Sequence, residues 1–154
     1  MLSTKQLQKI GLLSDTVLYP EAVSFIQKLV REEDCDPLPT SQVTGLLSIA
    51  ESFKYDELYR FIVHQRDRNW PPGKSDIKRL YTALEKELSL MQRKRIKDEF
   101  RLATEGLSAR DARREADELM ARLASDFIQH LVAENMLLVA EKADEKAKER
   151  AGRR

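Results

Sequence analysis

The sequence predicts an all-α fold: a bundle of five to six helices ending in a long C-terminal helix. Three observations carry that prediction. Apolar residues recur at intervals of three and four in segment after segment, and no stretch alternates apolar and polar residues as a half-buried strand does. The composition favours Leu, Ala, Glu, Lys and Arg, with 34% charged and 6% aromatic residues. The few Gly and Pro residues, five of each, fall mainly between the periodic segments. A chain of 154 residues is most simply one domain. Residues 1–140 are read as that domain, and 141–154 as a charged helical extension or a frayed tail.

Taken in order, Ser3 with Gln6 forms a capping-box pattern that starts a short helix carrying Leu7, Ile10 and Leu13. Tyr19-Pro20 then restarts the chain as a second helix, because proline suits a first helical turn. Ala22, Val23, Ile26, Leu29 and Val30 give it a stripe out to about Glu33. Residues 34–39, DCDPLP, form a linker. Thr40 or Ser41 caps the next helix, with Val43, Leu46, Leu47, Ala50 and Phe53 inward, and Gly45 implies a close helix neighbour. Tyr55, Leu58, Phe61, Ile62 and Gln65 stripe a further helix that stops before the Asn69–Gly73 loop.

Ser75 caps the element on which the functional reading rests, a helix running to Arg101. Ile77, Leu80, Tyr81, Leu84, Leu88 and Met91 share one narrow face at 100° per residue. Arg95 falls on that face too, so the core-facing run is expected to end near Met91 and the helix to project beyond it. Gly106 reads as the left-handed residue ending this helix. Ser108, with Asp111 three residues on, starts the last helix, whose apolar face runs through Ala112, Ala116, Leu119, Leu123, Phe127, Leu131 and Leu138.

The net charge of +1 conceals a strong asymmetry. Residues 1–59 hold 5 Lys/Arg against 9 Asp/Glu, or −4. Residues 60–101 hold 12 against 6, or +6, and residues 102–154 hold 10 against 11, or −1. A basic middle segment between acidic flanks points to a polyanion partner. Opposite the apolar face of the long helix stand Arg79, Lys86, Arg93 and Lys97, at spacings that barely drift around the barrel, with carboxylates expected at the flanks. Arg66 and Arg68 end the preceding helix near Lys74 and Lys78, so cations gather at one corner. Such a row neutralises phosphates without reading bases. Basic helix faces also arise for solubility alone, and that reading stands beside the first.

No catalytic constellation is present in the sequence. His64 and His130 have no Cys or His at metal-ligand spacing, and His130 is expected to pair with Glu134 inside the protein. Neither a phosphate loop nor a dinucleotide fingerprint occurs. The expectation is a non-enzyme without cofactor or metal. Single Cys35 excludes an internal disulfide and suits a reducing compartment. With no signal-peptide pattern and no apolar run of ~18 residues, a soluble cytoplasmic protein without a membrane role is expected.

The segment Leu38-Pro-Thr-Ser-Gln-Val43, the helix after it, Tyr55, Gln65-Arg66, Arg68, the loop and the long helix together resemble the small subunit of type III CRISPR effector complexes. The resemblance spans roughly residues 38–101, and Phe127-Ile-Gln-His-Leu-Val-Ala-Glu-Asn135 is compatible with it. Where that family often has an arginine after the motif, Thr44 and Gly45 stand here. The resemblance implies an all-α, non-catalytic antiviral-defence subunit that stacks with sister copies and other complex subunits. Its basic face would steady the guide–target RNA duplex. A second hypothesis is a helical adaptor or coiled-coil protein without nucleic-acid binding. A third, a helix-turn-helix at 40–68, is disfavoured by Asp56 and Glu57 at the start of the would-be recognition helix.

Overall fold

The computed structural model describes residues 1–153, and among these there is no strand. Five continuous helices form an all-α bundle. They are α1 (residues 4–32), α2 (Thr40–Glu51), α3 (Tyr55–Asp67), α4 (residues 75–99) and α5 (Ala109–Gly152). Helix α5 is the axis on which α1, α2 and α3 pack, while α4 packs against α3. Polar contacts at Gln6–Glu115, Ser14–His130 and Arg31–Glu141 show α1 running parallel to α5. Tyr81, Phe127, Leu18, Ile26 and Leu58 lie fully inside. Each such side chain contributes about 1.5–3 kcal/mol relative to an exposed position.

The two helices expected before residue 34 are one. Ser3 closes the predicted capping box, its hydroxyl accepting from the Gln6 N–H at 3.1 Å while the Gln6 side-chain Oε1 accepts from the Ser3 N–H at 2.8 Å. Tyr19-Pro20 does not restart the chain. At Ser14–Leu18 the backbone widens so that the Tyr19 N–H reaches the Ser14 carbonyl. That wider turn accommodates a pyrrolidine ring which otherwise clashes with the preceding turn.

Two helices end alike. In α1 the Glu33 N–H reaches the Lys28 carbonyl, Asp34 takes φ 54°, and the Cys35 N–H returns to the Leu29 carbonyl. In α4 the same roles fall to Phe100 on Arg95, Arg101 at φ 51°, and Leu102 on Ile96. In each case a left-handed residue folds the next side chain, Cys35 or Leu102, into the core. Thus α4 ends before Gly106, which has φ 79° in the turn leading to α5. Nor do Thr40, Ser41 or Ser75 cap their helices: α2 and α4 begin without a side-chain cap. Ser108 does cap α5, accepting from the Asp111 N–H at 3.2 Å.

The apolar face of α4 is buried as expected from Ile77 to Met91. It does not stop there. From Met91 to Glu99 the wider turns advance fewer degrees per residue, so Ile96 turns inward beside Arg95, which keeps its place on the inward face, and Phe100 and Leu102 extend the core. No part of α4 projects from the bundle. The projecting element is instead α5, whose buried face ends at Leu138. It keeps polar contacts to the bundle through Glu141 and Lys142 and continues as exposed helix to Gly152. Of the residues expected inward, Phe53 is exposed and lies beneath the Arg122 guanidinium at 4.8 Å, and Ala112 is exposed at the start of α5.

Candidate nucleic-acid interface

The eight nominated cations divide into groups. Arg66 and Arg79 are held by carboxylates. Arg66 binds Asp67 at 2.9 Å and approaches Glu85 at 3.7 Å, and the Asp67 contact holds that carboxyl below its usual range. Arg79 reaches Asp76 at 3.3 Å and Glu33 at 3.9 Å, and also donates to the Glu33 carbonyl. The expectation that carboxylates avoid this face is therefore corrected at Arg79: Asp76 reaches it from the preceding turn of α4, and Glu33 reaches it from the end of α1, which periodicity within α4 does not register.

Arg68, Lys74, Lys78, Lys86, Arg93 and Lys97 are exposed and, among the described residues, make no ion pair. Three of them sit at the α3–α4 corner. Arg68 lies over the Trp70 ring at 4.5 Å, and the indole N–H donates to the Gln65 carbonyl at 2.7 Å, which fixes the loop that carries it. Lys74 closes the single turn Pro72–Lys74, and Lys78 lies one turn into α4. The amino end of a helix adds positive potential at the same corner.

The rest do not continue in a line. Lys86 borders a groove shared with Glu33, Glu87, Asp98 and Glu99. Arg93 leans back on its own helix, its Nε donating to the Ser89 carbonyl at 3.3 Å. Lys97 stands at the far end beside Arg101 and Glu105. The wider turns after Met91 rotate it out of register with Arg79.

Arg95 was absent from the expected site and has the most structured environment of any cation among the described residues. Its guanidinium makes two 2.7 Å contacts with Glu21 and contacts of 2.7 and 2.9 Å with Glu99, and it stacks on Phe100 at 4.7 Å. Glu99 is drawn below its usual range by that partner. Arg95 joins α1 to α4 and is not available to a ligand.

The other candidate chemistry resolves into packing. His130 does not pair with Glu134: its Nε2 meets the Ser14 hydroxyl at 2.9 Å and its ring meets Tyr19 edge-on at 5.2 Å, while Glu134 accepts from Gln27 at 2.7 Å. The parallel alignment of α1 and α5 supplies both partners, and sequence spacing on α5 alone does not. His64 is exposed on α3. Burial raises the Cys35 thiol to about 11, which leaves it protonated and unreactive. Among the described residues no group of three His, Cys, Asp or Glu side chains has metal-binding geometry, and no helix is long and apolar enough to cross a membrane. No family model, curated protein or solved structure matches this chain.

Proposed function

We propose that this protein is a non-catalytic helical subunit of a type III CRISPR ribonucleoprotein that braces the phosphate backbone of bound RNA. The observation that carries the reading is the corner at which Arg68, Lys74 and Lys78 stand exposed and without carboxylate partners, on a segment of net charge +6. Cations of that kind gain by releasing condensed counterions, which gives affinity without base reading. Arg93 and Lys97, out of line with the corner, lie outside this contact. Arg66 and Arg79 act instead as struts that hold α3, α4 and α1 in place. Stacking with sister subunits falls to the parts that leave the bundle, above all the helical extension after Lys142. On this reading the protein works in the cytoplasm and needs no cofactor.

The test is RNA retention by the assembled complex carrying Lys74→Glu and Lys78→Glu. Weaker retention at low salt supports the reading, and retention equal to wild type across a salt titration overturns it. The apolar groove beside Lys86 favours, at a different place, a protein–protein contact of the adaptor kind.

A further inference from the structure

Helices α1 and α4 run antiparallel and are tied together at two levels, by Arg95 on Glu21 at one end and by Arg79 on Glu33 at the other. Between the ties they stand apart. The space left is a groove of about 1050 Å³. At 1.5 Å per residue it measures roughly 18 Å along α1 and 24 Å along α4, the length of a helix of three to four turns. Phe25, Leu29, Ala83 and Leu90 supply its apolar lining. Leu90 is 40% exposed and borders this lining on the α4 wall. The Phe25 ring is braced edge-on against Phe127 at 5.8 Å, so this wall is rigid.

The rims carry a definite charge pattern. Glu21, Glu99 and Glu33 are neutralised by the two arginine ties. Counting inward from those ties, Lys28 on α1 stands level with Lys86 on α4, and neither has an ion-pair partner among the described residues. Two unpaired ammonium groups thus stand on opposite walls near mid-length, and Lys94, Glu87 and Asp98, also outside any ion pair among the described residues, complete the rim on α4. Of the five carboxylates among its lining residues three are held by the arginine ties, and an apolar floor offers phosphates nothing.

We propose that this groove docks an amphipathic helix of a partner protein, its apolar residues at i, i+3 or i+4 and i+7 seated on Phe25, Leu29 and Leu90, with an Asp or Glu at mid-length between Lys28 and Lys86. Helices recognised in grooves use this spacing of anchors, and complementary rim charges set their register. The contact uses none of the corner residues Arg68, Lys74 and Lys78, so it stands or falls separately from RNA binding.

The experiment is selection from a display library of 16-residue helical peptides, randomised on the apolar face and its two flanks, against the full chain. Expected winners carry Leu, Ile, Met or Phe at the anchor positions and acidic flanks. They lose at least tenfold in affinity on Leu90→Glu, and the K28E/K86E variant selects basic flanks instead. Circular dichroism and thermal unfolding establish that both variants remain folded. The proposal is overturned by a selection without enrichment, by enrichment of basic peptides on the wild type, or by winners indifferent to both variants. It is equally overturned if the changes at Leu90, Lys28 and Lys86 abolish a concentration-dependent dimer or short-RNA binding without affecting the peptides.

Discussion

Replacing Asn135 with alanine removes both hydrogen-bond partners of Leu38 in one step. Asn135 is fully buried on α5. Its Oδ1 accepts from the Leu38 N–H at 2.8 Å and its Nδ2 donates to the Leu38 carbonyl at 3.1 Å. That pair fastens the linker between α1 and α2 to the axis of the bundle, with Leu38 itself 1% exposed. A buried backbone group left without a partner costs about 1–3 kcal/mol. Two such groups give about 2–6 kcal/mol, with the low end applying if a water enters the vacated space. Urea unfolding monitored by far-ultraviolet circular dichroism should show a loss of about 3 kcal/mol with an unchanged m-value. Asn135→Leu, which fills the volume and still leaves Leu38 unpaired, should fare no better. A loss below about 1 kcal/mol in both variants would refute the reasoning, since the linker would then be held by something other than this amide.

Further outcomes follow from the same structure. Gly45→Ala should stabilise by about 0.5–1 kcal/mol, because a methyl group there meets the Phe61 ring at an ordinary 3.5 Å and the helix loses its most flexible residue; thermal unfolding reads it, and destabilisation would show that α2 and α3 cannot yield at all. Asp76 is held below its usual range, first by the Asp36 N–H and then by Arg79. Its contribution is present above its unfolded pKa and disappears as pH falls through the lower folded value, so Asp76→Asn should be less stable at neutral pH and the difference should vanish in acid. Asp126 is shifted the other way, raised by burial. Asp126→Asn should therefore be at least as stable as wild type at neutral pH, with its advantage shrinking as pH falls; denaturant curves from pH 3 to 7 distinguish the two aspartates.

Local signals made much of the fold legible. The apolar spacing from Ile77 to Met91 and the capping pattern at Ser3 are dictated by residues within a turn or two, and the structure follows both. What escaped sequence reading is non-local or depends on turn width. Pro20 signals a break only if the preceding turn is regular, and here it is widened. The same widening after Met91 defeats a fixed 100° step, which is why Ile96 joins the core and Lys97 is out of line with Arg79. Arg95 keeps the inward phase of the stripe, and what sequence spacing alone does not show is the carboxylate pair that lets a charge lie there. Of the candidate site, the Arg68–Lys78 corner was legible because its members are close in sequence. The Arg79–Glu33 and Arg95–Glu21 ties were not, since 46 and 74 residues separate the partners. The groove between α1 and α4 has no sequence signature beyond Leu90, an apolar residue away from the buried stripe.

The central claim is that unpaired cations at the α3–α4 corner engage phosphodiesters. The most direct measurement is the slope of log affinity against log salt for RNA bound to the purified complex, wild type against Lys74→Glu/Lys78→Glu. Loss of two phosphate contacts should lower affinity and flatten the slope by about 1.4–1.8. An affinity and slope equal to wild type would contradict it.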